Sequence, residues 1–184
     1  MDRRELLRAI AALTGCAFVG ADRIFAASAD AGSYTPGQIA LLDEIAETIL
    51  PRTDTPGAKD AQVGAYIARY SSACYAPEQL AILRAGLGDI DVRARKAHGA
   101  EFVKCTSAQK QTLLIDIDAA AQRRARESGE DGEHPPHWFT LCKQLALLGF
   151  FTSEAGATRA VRYRPVPGAY EGVVPYHGET FWAW

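Results

Sequence analysis

The chain has no excess of either charge, little methionine and few cysteines, and each shortage removes a class of function. Twenty Lys and Arg stand against 22 Asp and Glu, a net charge of −2, so the phosphate-driven binding that dominates nucleic-acid recognition has no basic excess to act through. A single methionine beside seven Phe, seven Tyr and three Trp argues against a flexible, Met-rich promiscuous surface. Cys-x-x-Cys-His is missing, which excludes covalent c-type haem, and the scattered Cys74, Cys105 and Cys142 cannot build a four-cysteine iron–sulfur site. Gly86-Leu87-Gly88 lies in a helical stripe and has no third glycine at the step a dinucleotide-binding loop requires. Ser153-Glu154 has no Gly-x-Ser-x-Gly elbow to make it part of a triad.

What is present is an ordinary globular composition: 184 residues, 48% hydrophobic and 23% charged. That is the length of one domain, able to bury roughly 70% of the surface its unfolded chain exposes, so neither disulfide nor metal is required for folding. The beginning of the sequence reads as an address. Asp2-Arg3-Arg4-Glu5-Leu6-Leu7-Arg8 precedes a mildly apolar run, Ala9 to Ala21, which Asp22 and Arg23 interrupt before the roughly 20 residues of a membrane-spanning helix. Paired Arg3 and Arg4 mark it as twin-arginine dependent, and Ala27-Ser28-Ala29 supplies an A-x-A cleavage site, so residues 1–29 are expected to be a signal peptide and 30–184 the mature domain. A second cut is open, because Leu13-Thr14-Gly15-Cys16 resembles a lipobox whose Cys16 would carry a lipid. With residues 1–29 removed, the mature chain holds Cys74, Cys105 and Cys142, an odd number in an oxidising compartment, so at least one thiol stays outside any internal disulfide.

Helix signals follow one another along the mature chain. Thr35-Pro36-Gly37-Gln38 is a capping box with proline at the first helical position, and Ile39, Leu42, Ile45, Ala46 and Ile49 recur at helical steps until Pro51, which predicts a helix over 36–50. Residues 52–58 are turn chemistry, with Asp54 expected to fix the loop through an Asx turn ahead of Pro56-Gly57. Val63, Ile67 and Tyr70 predict a second helix over about 60–72. Pro77 opens a third, with a Leu80, Leu83, Leu87, Ile90 stripe and Arg93, Arg95 and Lys96 in the last turns, where cations suit the dipole. Thr106-Ser107-Ala108-Gln109 opens a fourth, to about Arg126, and Pro135-Pro136 precede a fifth carrying Trp138, Phe139, Leu141, Leu145 and Leu148. The fold class expected is an irregular all-α bundle of about five helices.

Polar clusters in these helices read as surface. Asp89/Asp91 and Asp116/Asp118 are two apart and diverge around a helix, so they are expected on solvated faces. His134, His137 and Cys142 superficially suggest zinc, but two prolines stiffen the stretch and no fourth ligand is evident. From Thr152 the helical period ends, and residues 152–184 form a tail punctuated by Gly and Pro and dense in aromatics, among them Tyr163, Tyr170, Phe181, Trp182 and Trp184. Aromatic surface is costly to leave in water, so the tail either drapes over the helical core or docks onto another protein.

Three blocks resemble the gluconate 2-dehydrogenase subunit 3 family: residues 45–58 (Ile45 to Ala58), 143–154 (Lys143 to Glu154) and 163–172 (Tyr163 to Gly172). The resemblance implies a small non-catalytic subunit of a periplasmic, membrane-associated sugar or sugar-acid dehydrogenase. Its partners would be a large flavoprotein subunit of the glucose–methanol–choline type, holding FAD, and a cytochrome subunit holding haem c. The implied role is to stabilise and mature the flavoprotein and carry it through the twin-arginine route. It brings over no catalytic, cofactor-binding or metal-binding residue. Interfaces favour aromatic and arginine anchors, so Asp54 and Pro56 of the loop, with Arg162, Tyr163, Arg164, Tyr170, Phe181 and Trp182 of the tail, are the expected partner surface. A stand-alone periplasmic binding or scaffold protein, or an enzyme with a site not legible here, are the other classes.

Overall fold

The computed structural model describes residues 34–127 and 135–163, and positions 166, 168, 169, 173, 175, 177, 178, 182 and 183 of the C-terminal segment. The expected signal segment, with Arg3, Arg4 and Cys16, lies outside the described residues.

Five α-helices carry the fold among those residues, as the apolar stripes predicted. Helix α1, Pro36–Ile49, starts on a reciprocal cap: Gln38 N donates to Thr35 Oγ1 at 3.2 Å and Thr35 N to Gln38 Oε1 at 2.9 Å. It ends because a residue ahead of proline avoids helical geometry, and Leu50 before Pro51 takes φ −127°, ψ 76°. Helix α2 spans Val63–Cys74, later than the 60–72 expected. Turn hydrogen bonds from Asp60 N to Gly57 O and from Gln62 N to Lys59 O occupy the intervening residues. Gln62 itself is left-handed at φ 52°, which a helix cannot include.

Helix α3, Pro77–His98, places Arg95, Lys96 and His98 in its last turn and closes on Gly99 at φ 70°. A 3₁₀ turn over Phe102–Lys104 leads to α4, Ser107–Glu127, which opens on a second reciprocal cap between Thr106 and Gln109. Helix α5, Trp138–Phe151, is the most apolar and touches all four others. Eight of its side chains or backbone positions, from Trp138 to Phe150, are buried. Two glycines allow the close approach: a Cβ on Gly86 of α3 would lie 2.1 Å from Trp138 Cγ, and one on Gly149 2.5 Å from Tyr66 Cδ1 of α2.

The core gathers Leu42 and Ile45 from α1, Ile67 from α2, Leu83 and Ile90 from α3, Phe102, Ile117 from α4 and Cys142 from α5, all essentially inaccessible. Tyr34 closes one end, its hydroxyl 2.9 Å from Ser71 Oγ and its ring under the Arg84 guanidinium at 5.1 Å. Leu148 departs from expectation. It is 42% exposed, on the face of α5 that also carries exposed Gln144, Leu147 and Phe151, while Gly149 and Phe150 of the same turn are buried.

The loss of helical period at Thr152 does not end helical backbone. Gly156–Ala160 forms a π-helical turn, which Ser153 supports by accepting Gly156 N at Oγ, 3.0 Å, and Ala157 N at its carbonyl, 2.8 Å. The turn is too short to show a period but buries Ala155 and Gly156. Beyond it, β1 (Arg162–Tyr163) pairs in parallel with β2 (Trp182–Ala183), Arg162 opposite Trp182. No helix among the described residues is long and apolar enough to cross a membrane.

Candidate partner interface

The loop between α1 and α2 is pinned from below. Glu47, in the last turn of α1, accepts Arg52 N at Oε1 (3.0 Å) and Lys59 N at Oε2 (2.8 Å), clamping both arms of the loop with one carboxylate. Asp60 accepts Gly57 N at 2.9 Å and takes the Arg52 guanidinium on both oxygens. Ala58 is fully buried, and its N donates to Leu50 O at 2.9 Å. Asp54 therefore does not hold the loop as expected. Its carboxylate accepts only the Thr53 hydroxyl, at 2.9 Å, and remains exposed at the tip. The two carboxylates that do the pinning meet amides whose positions depend on the fold of the loop.

The pinned tip borders a hollow of about 310 Å³ lined by Arg52, Thr53, Asp54, Thr55, Pro56, Asp60 and Arg159. Arg159 comes from the π-helical turn, three residues ahead of Arg162. Two regions far apart in sequence, the loop with Asp54 and Pro56 and the start of the tail, are thus joined at one surface. Arg162 and Tyr163 follow on β1, both exposed, and do not line the hollow. The Trp182 backbone pairs with Arg162, while Arg164, Tyr170 and Phe181 lie outside the described residues. Sequence reasoning missed Arg159, whose only local signal is a cation after an apparently irregular stretch.

Other suspected constellations resolve into structure. Asp89 pairs with Arg93 at 2.6 Å, Asp91 accepts Phe102 N at 3.0 Å, and Asp118 takes Lys143 Nζ at 3.0 Å and Gln122 Nε2 at 2.8 Å. Asp91 and Asp118 therefore tie elements together, a correction to the solvated-face reading. His137 caps α5 and Cys142 is wholly buried, its thiol pushed up to about 12 by burial; His134 lies outside the described residues. Among the described residues no group of three His, Cys, Asp or Glu could hold a metal. Cys74, Cys105 and Cys142 are all free thiols, only Cys74 exposed.

A small all-α domain, built around one apolar helix and presenting a clamped loop beside a basic turn, is the class that fold and surface define. The family model for gluconate 2-dehydrogenase subunit 3 matches residues 36–168, from the first residue of α1 through all five helices and the hollow, and the chain belongs to that family. Its name makes its members subunits of a dehydrogenase complex. No curated protein and no solved structure matches the chain.

Proposed function

We propose that this chain is the non-catalytic small subunit of a membrane-associated periplasmic, FAD-dependent sugar or sugar-acid dehydrogenase of the glucose–methanol–choline type. It stabilises and matures the flavoprotein subunit and takes it through the twin-arginine route on the strength of its own Arg3-Arg4 signal. FAD belongs to that large subunit and haem c to a cytochrome subunit, and the chain reaches the membrane through the complex. The observation that carries this reading is the family match over residues 36–168.

The hollow supports the choice of surface. A loop held by Glu47 and Asp60 loses little further freedom on binding, and preorganisation of this kind lowers the entropic cost of association. Asp54, Pro56 and Arg159 at its edge, continuing to Arg162 and Tyr163, give the arginine and aromatic anchors that interfaces use.

The test is a mild-detergent affinity purification of the tagged chain from its native envelope, with an absorbance spectrum and mass identification of what accompanies it. A yellow, flavin-bearing large subunit, with or without cytochrome, is the expected result. A colourless lone chain from a competent preparation overturns the reading and favours a free periplasmic binding protein, whose ligand would be sought in the groove of about 400 Å³ between α1, α4 and α5.

A further inference from the structure

His137 stands where α5 begins. Its backbone is extended (φ −66°, ψ 140°), and its Nδ1 accepts the backbone N–H of Phe139 at 3.1 Å, satisfying one of the amides that a helix start leaves open. An imidazole nitrogen accepts a hydrogen bond only while it carries no proton, so this cap exists in the neutral ring alone. The ring is half-buried beside Trp138, at 5.8 Å between centroids, and Trp138 fills the gap over Gly86 of α3.

Among the described residues, the charges around the ring come from both neighbouring helices. Arg93 and Asp89 face it from α3 and Arg124 faces it from α4. Asp89, the carboxylate that faces the ring from α3, is already engaged with Arg93 at 2.6 Å. The amino end of α5 is itself the positive end of its dipole, which disfavours a positive charge on the ring.

We propose that His137 is an acid-sensitive latch: gaining a proton breaks the Phe139 cap and sets a positive ring against the positive end of the α5 dipole, releasing the start of α5. Burial, then Arg124 and Arg93, hold the imidazole below its ordinary value of 6.5, and Asp89 offsets only part of this. The unfolded chain therefore takes up the proton first. The contribution of the latch is complete above about pH 6.5 and is lost as the pH falls through the lowered folded value.

Hydrogen exchange of the Phe139 amide in the full chain, corrected for its intrinsic pH dependence and referred to amides in the middle of α3, tests this between pH 7.5 and 5. Each unit by which the folded value lies below 6.5 corresponds to about a tenfold loss of protection. The wild type is expected to lose protection across this range. His137→Asn, which keeps a capping oxygen but cannot titrate, is expected to stay flat. Parallel loss in both proteins overturns the latch. Should His137→Asn fail to fold, the His137 ring resonances of the wild type decide. A midpoint below 6.5 with a concerted shift of the Phe139 amide supports the proposal, and a midpoint at or above 6.5 overturns it.

Discussion

Lys110 enters the interior where α4 meets α1, and its ammonium finds Glu44 at 2.8 Å with only 11% of the side chain exposed. Lys59 shares the same carboxylate from the loop side. Burial draws the Glu44 carboxyl upward, but hydrogen bonds from Lys110 and Lys59 and their charges outweigh it, and the net shift is downward from 4.5. Stability from this pair is accordingly full above about pH 4.5 and fades as the pH drops through the lowered value. Glu44→Gln is expected to cost about 2 kcal/mol at pH 7, as loss of hydrogen bonds to a charged group does. Urea midpoints measured from pH 6 to 3 should fall less steeply in that variant than in the wild type. Cysteine chemistry divides by burial in the same way. Maleimide is expected to modify Cys74 in the native protein and to reach Cys142, with its thiol at about 12, only after unfolding. Peptide mapping before and after denaturant checks this.

At the scale of elements, the helices were readable because their signals are local. Thr35 with Gln38 and Thr106 with Gln109 satisfy each other three residues apart, and both boxes form as the sequence predicts. The loop between α1 and α2 was readable as a loop but not in its fastening. Asp54 has the residue type of an Asx turn, yet Glu47 reaches Lys59 N twelve residues on, a distance no turn rule covers. Glu47→Ala is expected to lower stability by about 1 kcal/mol by removing the two hydrogen bonds that close the arms of the loop, whose exposed amides water then satisfies. Asp54→Ala should stay within about 0.5 kcal/mol, the range of an exposed surface change. Chemical denaturation of the two variants separates them, and equal losses would return the loop to Asp54. The helical turn at Gly156–Ala160 escaped because five residues are too few for a period to appear.

For the whole molecule, the described side chains that build the core lie between Tyr34 and Phe150, with Ala155 and Gly156 buried at its edge. A stop after Val161 keeps all of them, whereas a stop after Thr152 would remove Ala155, Gly156 and the rest of the π-helical turn. The protein ending at Val161 is expected to melt within a few degrees of the full chain while no longer retaining the flavoprotein in the purification described above. A chain that unfolds instead would place the tail in this subunit's own core and not at the partner.

Caps, apolar stripes and proline stops determined by themselves that five helices form and roughly where each begins. These interactions span three or four residues and need no partner from elsewhere in the chain. Which carboxylate clamps the loop, that Leu148 faces outward, and that Arg159 stands across a hollow from Asp54 were decided only by tertiary structure. Each depends on where separate helices come to rest against α5, and that is fixed by the shapes of buried side chains such as Trp138 over Gly86 and not by any run of neighbouring residues.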